Sequence, residues 1–169
     1  MALFSLELYE LQFGYDVHFG DDATIEISDM ADIAHSMYLR VQWPSDAPTT
    51  VQPSTGTAMI QRVELLYDDQ VIERIYGENL YMLNDLTAET SEQPALSNLV
   101  GTNRTSNLAV YYTELPFAWA EQGIPLLALD QHPVVRVVFN KSNVFTTTNY
   151  TKPIRATLMV DYVDVTEPE

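Results

Sequence analysis

Polar and apolar side chains alternate along most of this chain, and a period of two is the repeat of an extended strand rather than of a helix. Residues 5–13 place Leu, Tyr and Phe on opposite faces in turn, residues 23–28 do the same, and residues 38–43 follow. Residues 59–67 make a longer strand. Asp68-Asp69 interrupts it, and residues 70–76 resume the alternation, so the two acids mark a tight hairpin. Further strands are expected at residues 108–115, 126–129, 134–139 and 154–165. The total is about nine or ten short strands rich in Val, Ile, Tyr and Thr, which suit a pleated, half-buried surface.

Two segments depart from the pattern. In residues 77–87, Leu80, Leu83 and Leu86 recur three apart, which suits a short helix between strands, and residues 116–123 read as one helical turn ended by Gly123. Loops are expected at residues 44–56, which hold three prolines, at 87–107, and at 140–153, which are full of Asn, Ser and Thr. No repeat of solenoid or propeller length is present. The class is therefore all-β, with one or two short helices in loops. Many antiparallel strands joined by long crossovers point to a sandwich or jelly roll rather than an up-and-down barrel. At 169 residues and 19.1 kDa the chain makes one domain, residues 1–169, large enough to bury roughly two-thirds of its unfolded surface.

Charge narrows the functional classes. Twenty-four acidic side chains oppose eight basic ones, a net of −16 and a pI near 4.2. Binding to a phosphate backbone needs clustered Lys and Arg, and here they are scattered, so direct nucleic-acid binding is not expected. The same field is repelled by an anionic membrane surface. No apolar run approaches the roughly 20 residues of a membrane span, and Met1 to Leu8 lacks the basic start of a signal peptide. With no cysteine, disulfides, Cys-ligated metals and thiol nucleophiles are absent.

Few residues offer chemistry. His18, His35 and His132 form neither a His-x-His pair nor a helical His-x-x-x-His, so the ligand set of a cupin-type metal site is missing and neither metal nor cofactor is expected. Asp21-Asp22 and Asp68-Asp69 are neighbours whose side chains point to opposite sides, unlike a catalytic dyad. Neither a nucleophile elbow nor a phosphate-binding glycine loop is present, so the chain is not read as an enzyme. Asn103, Asn140 and Asn149 each open an Asn-x-Ser/Thr sequon in an expected loop and are candidate glycosylation positions. Ten tyrosines, six phenylalanines and two tryptophans serve core and contact packing, with Tyr111, Tyr112, Phe117 and Trp119 open to either role.

Two stretches resemble the major capsid proteins of nucleocytoplasmic large DNA viruses, which are built from two consecutive jelly rolls. Residues 60–80, from Ile60-Gln61-Arg62-Val63-Glu64 through Gly77-Glu78-Asn79-Leu80, are similar to that family's strand–hairpin–strand unit leading into a helix. Residues 115–134 are similar to its "LPFWFxxxxGLALPLIALQYHEV" signature, through Leu115-Pro116-Phe117, Trp119, Gly123 eight residues after Leu115, and Pro125-Leu126-Leu127-Ala128-Leu129. Weaker echoes are Asp32-Ile33 to Tyr38-Leu39, Trp43-Pro44, and the closing Val160-Asp161-Tyr162-Val163-Asp164-Val165. By this resemblance Pro116, Phe117, Trp119, Gly123, Pro125 and Leu126 are packing residues. Phe117 and Trp119 would plug the sandwich end, and residues 126–129 would enter a strand buried on both faces.

The resemblance implies a single jelly roll, like the family's N-terminal one, acting as a structural unit of an icosahedral capsid and found in the virion assembled in the host cell. Its partners would be copies of itself or other capsid proteins, as trimer, pentamer or hexamer. Family members run well over twice this length, so the chain is either an isolated N-terminal half or a short relative. Where the family has a Gly-Gly hairpin, Asp68-Asp69 is expected to need another turn geometry or a longer loop. Two other readings stand beside it: a minor or vertex (penton-type) capsid protein of the same lineage, and a carbohydrate-binding jelly-roll module. An enzyme of the cupin type is a third.

Overall fold

The computed structural model describes residues 3–14, 16–87 and 93–166. In chain order the elements are β1 (Leu3–Gln12), β2 (Asp22–Glu26), β3 (Ile33–Gln42), α1 (Thr55–Ala58), β4 (Ile60–Tyr67), β5 (Gln70–Tyr76), α2 (Gly77–Thr87), α3 (Gln93–Leu99), β6 (Val110–Glu114), α4 (Ala118–Gln122), β7 (Ile124–Pro125), β8 (Val134–Phe139) and β9 (Arg155–Thr166). One antiparallel sheet runs β1-β9-β3-β6, with the short β7 beside β3, and the other runs β2-β8-β4-β5. Each outgoing strand is paired with a returning one: β1 with β9, β2 with β8, β3 with β6, and β4 with β5. The chain is thus one long hairpin, closed at Asp68-Asp69, whose successive strand pairs fall in alternate sheets. That winding is a jelly roll.

Alternation fills the space between the sheets. Leu158, Val160 and Tyr162 of β9, Met37, Leu39 and Val41 of β3, Val63 and Leu65 of β4, and Val135, Val137 and Phe139 of β8 are all buried. Each such aliphatic or aromatic side chain contributes about 1.5–3 kcal/mol on burial. One end of the sandwich is closed by rings: Phe19 lies 4.8 Å from Trp43 and 4.9 Å from Phe145 between centroids, and Trp43 lies 5.0 Å from Tyr150.

Three expectations are corrected. Residues 126–129 are not a strand. Pro125 brings no N–H to a ladder, the Leu126 N–H donates to the Asp32 carbonyl at 2.9 Å, and Leu126–Ala128 turn as a 3-10 helix that buries Leu126 and leaves Leu127 exposed. A short apolar run does not by itself distinguish a buried strand from a turn. The expected loops at 87–107 and 44–56 also carry helix, α3 in the first and the start of α1 in the second.

The third correction concerns the hairpin. Asp68 and Asp69 take φ values of 50° and 59°, and Tyr67 pairs directly with Gln70, so the loop is a two-residue turn with both central residues left-handed. Aspartate tolerates that region where most residues do not, so the tight turn is kept without lengthening. Asparagine and glycine adopt the conformation at lower cost. The double variant Asp68→Asn, Asp69→Gly should therefore stabilise the protein by about 1 kcal/mol, read as a higher urea midpoint at unchanged slope.

Candidate interaction surfaces

Beyond β6 the chain crosses the sandwich end at Leu115, Pro116 and Phe117. Leu115 and Phe117 are buried, Pro116 is half-buried, and the Leu115 N–H donates to the Met37 carbonyl at 2.9 Å. A helix start leaves N–H groups without intrahelical partners. Here the N–H groups of Ala118 and Trp119 donate to the two carboxylate oxygens of Glu73, at 2.7 and 3.0 Å. Glu73 lies on β5, in the opposite sheet from β6, so this cap ties the two sheets together. Trp119 sits half-buried, edge-on to Tyr67 at 5.9 Å, and α4 ends at Gly123, whose φ of 95° favours glycine. Pro125 is exposed and Leu126 buried. Replacing Glu73 with alanine should cost about 1 kcal/mol and speed hydrogen exchange at the amides of Ala118 and Trp119 above all others.

The outer face of the β2-β8-β4-β5 sheet carries a charge cluster that sequence reasoning missed. Glu64 on β4 pairs in register with Arg136 of β8 and Arg74 of β5. Its side chain is only 1% exposed, and three guanidinium groups surround it. Arg62 Nε donates to Oε1 at 2.8 Å, Arg74 Nε to Oε1 at 2.9 Å, and Arg136 Nη1 to Oε2 at 3.0 Å. Burial opposes ionisation of this carboxyl, but the bonds from Arg62 and Arg74 and their charges outweigh it and hold Glu64 below the usual carboxylate range. Ile72 and Tyr76 stand exposed beside the arginines. Of the acids near this face, Asp22 and Glu26 lie on β2, the edge strand far from Arg74, while Asp68 and Asp69 of the β4-β5 turn and Asp130 line a groove beside Arg136.

The outer face of the other sheet has the opposite character. In β1 the side chains of Tyr9 and Leu11 pack on the core, so Leu6, Leu8 and Glu10 point outward. Leu6 is 68% exposed and pairs with Val163, and Leu8 is 54% exposed and pairs with Asp161. Arg40, the outward cation of β3, is turned onto Tyr112 and Gln42.

The other sequence candidates lie apart from these faces. His18 lies 3.9 Å from Asp21, His35 contacts Ser36 Oγ at 3.0 Å, and His132 lies 3.5 Å from Asp29. Among the described residues no group of three or more His, Asp or Glu side chains gathers as metal ligands. Asn103 sits exposed in a turn at φ 60° and Asn149 is exposed, whereas the Asn140 amide nitrogen, the atom a glycan would occupy, donates to the Ala58 carbonyl at 2.9 Å. Of the four aromatics left open, Tyr111 and Phe117 are core, and Tyr112 and Trp119 are half-buried.

Comparison with known proteins adds two findings. Residues 1–166 match the family model described as the major capsid protein N-terminus. Among solved structures the fold is similar to that in the quasi-atomic PBCV-1 virus capsid, with a TM-score of 0.77 at 19% identity, covering 98% of this chain and 43% of that one. It is also similar to the Faustovirus major capsid protein, with a TM-score of 0.75 at 9% identity, covering 98% and 55%. A more distant likeness is to Sulfolobus Turreted Icosahedral Virus, with a TM-score of 0.58 at 14% identity. At these identities the likeness is one of fold, and the chain spans about half or less of the length of these structures. No curated protein sequence matches it.

Proposed function

Because this chain belongs to the major capsid protein N-terminus family, we propose that it is a structural building block of an icosahedral large-DNA-virus shell, carried in the virion and acting through packing rather than catalysis. The family match across residues 1–166 is the observation that carries this reading. Residues 1–169 are taken as one jelly-roll domain whose lateral faces pack against copies of itself or against other capsid proteins. In this role the segment holding Pro116, Phe117, Trp119, Gly123, Pro125 and Leu126 is the rigid end of the unit, keeping the two sheets at a fixed spacing so that both outer faces can be covered by neighbours. Exposed leucines on one outer face and exposed Ile72 and Tyr76 on the other support lateral packing.

The deciding measurement is absolute mass in solution by size exclusion with light scattering, at low and high salt. The expected result is a closed ring of about five or six copies. Five would suit a vertex position and six a facet. A charge of −16 on every copy is self-repelling, so rings should be favoured as salt screens that repulsion. A protein that stays at 19.1 kDa at every salt concentration and binds a specific glycan with micromolar affinity would overturn the reading in favour of a carbohydrate-binding module.

A further inference from the structure

We propose that the outer face of the β1-β9-β3 strands carries a binding site for an acidic monosaccharide, a sugar ring bearing a carboxylate. The site lies where Arg155 opens β9, and it takes a small molecule rather than another copy. It therefore stands independently of the shell reading.

Uncommitted charge marks the place. With 24 acids against eight cations, nearly every cation in this chain has a partner to hand. Arg62, Arg74 and Arg136 are held by Glu64, Arg104 donates to Asn98, Lys152 pairs with Asp46, and Arg40 lies on Tyr112 and Gln42. The side chains of Lys141 and Arg155 remain, and neither has a polar partner among the described residues. Arg155 is exposed and lines a cavity of about 430 Å3, which is in the size range of small-molecule sites. Among the described residues of that wall it alone is charged.

Strand register assembles the rest of the wall. Arg155 pairs with Gln42 of β3, and two residues further along β9 Thr157 pairs with Gln12 of β1. Paired residues share a face of the sheet, as do residues two apart on a strand. Ala156 and Leu158 are buried in the core, so Arg155, Gln42 and Gln12 stand together on the outer side. Gly14, Pro44 and Pro153 complete the rim.

The donor set matches a carboxylate on a hydroxylated ring. A guanidinium offers two parallel N–H donors to a carboxylate. Gln42 Oε1 accepts from Arg40 Nη2 at 3.2 Å, which fixes that carboxamide and leaves its N–H groups to donate. Gln12 has no partner among the described residues and offers both a donor and an acceptor. Hydroxyls also do both, so two carboxamides suit a sugar, whereas a bare anion would use donors alone. The two proline rings give an apolar wall for the C–H face of the ring. Glu10, two residues before Gln12, and Asp16, two after Gly14, flank the site without pairing with Arg155. They repel a dianion more than a monoanion, which favours carboxylate over phosphate.

The test is saturation-transfer NMR on the full chain. The probes are methyl glucuronide and the methyl glycoside of N-acetylneuraminic acid, with methyl glucoside, acetate and inorganic phosphate as controls. At least one acidic sugar should bind with a Kd of about 1 mM, and every control about tenfold more weakly. Arg155→Gln removes the charge. Gly14→Leu fills the cavity from a position where a Cβ meets nothing within 4 Å. Each should weaken binding by about tenfold at an unchanged melting temperature. Absence of binding by both acidic sugars, equal binding of acetate or phosphate, or binding untouched by the two variants would each overturn the proposal. Light scattering on the same samples separates the two readings. Rings without sugar binding remove the site and leave the shell, whereas a sugar-binding monomer at every salt concentration keeps the site and removes the shell.

Discussion

Gly77→Ala is expected to leave no cooperatively folded protein. Gly77 is the residue at which β5 becomes α2, and its backbone runs against the start of β4. A Cβ there would stand 1.9 Å from the Ile60 carbonyl oxygen, 3.0 Å from its carbon and 3.1 Å from the Thr57 oxygen. All three are backbone atoms, so no rotamer change relieves the overlap. Either α2 lifts away and uncovers the buried Leu80, or β4 shifts against β8 and β5. A loss above about 4 kcal/mol follows from such a clash. For a domain at the lower end of the typical range of about 5–15 kcal/mol, that is most of the stability. The readout is far-ultraviolet circular dichroism with a urea titration. A folded Gly77→Ala protein whose midpoint matches the parent's would show that this junction yields easily.

The second large effect is expected at Glu64. Glu64→Gln removes the one negative charge among Arg62, Arg74 and Arg136 while keeping the side chain's shape. The arginines are partly exposed, which screens their mutual repulsion, so the cost is set at about 3 kcal/mol rather than at the upper end for a broken buried pair. The sign of the pH dependence follows from the lowered pKa. A carboxyl held below its unfolded value of about 4.3 contributes stability that is present above that pH and lost as pH falls through the folded value. The gap between parent and Glu64→Gln in urea unfolding should therefore be full at pH 7 and shrink below about pH 4. A gap that persists unchanged at pH 3 would mean that the carboxylate charge is not what holds the arginines.

How legible these features are from sequence differs for physical reasons. β8 and α2 occupy the spans that periodicity indicates, residues 134–139 and 77–87, because each has an uninterrupted pattern bounded by a clear break. β3 starts at Ile33, well before the expected residue 38, because a register shift between Ala34 and Met37 interrupts its alternation. α3 is only seven residues long, and the spacing of Leu96, Leu99 and Val100 covers too few turns to separate a helix from a loop. The signature residues Phe117 and Gly123 were visible as a motif, yet the group that caps α4 was not, since Glu73 lies 45 residues away from Ala118. Glu64 is hidden for the same reason. A lone carboxylate at an outward strand position reads as solvated, and Arg136 is 72 residues distant, so only the strand order of the sheet reveals the cluster.

The pairing of β1 with β9 sets a rule of timing. Their register runs from Leu3 with Thr166 to Gln12 with Thr157, so β1 leaves a ribosome long before β9 is made and waits for it to have a neighbour. Contacts this distant in sequence are slow to close. The leucine strip beside Asp161 is built from both strands, and a nascent chain or a fragment truncated before β9 cannot present it. Synthesis itself thus acts as an inspection step: only a polypeptide translated through β9 carries the surface by which it could enter a larger structure.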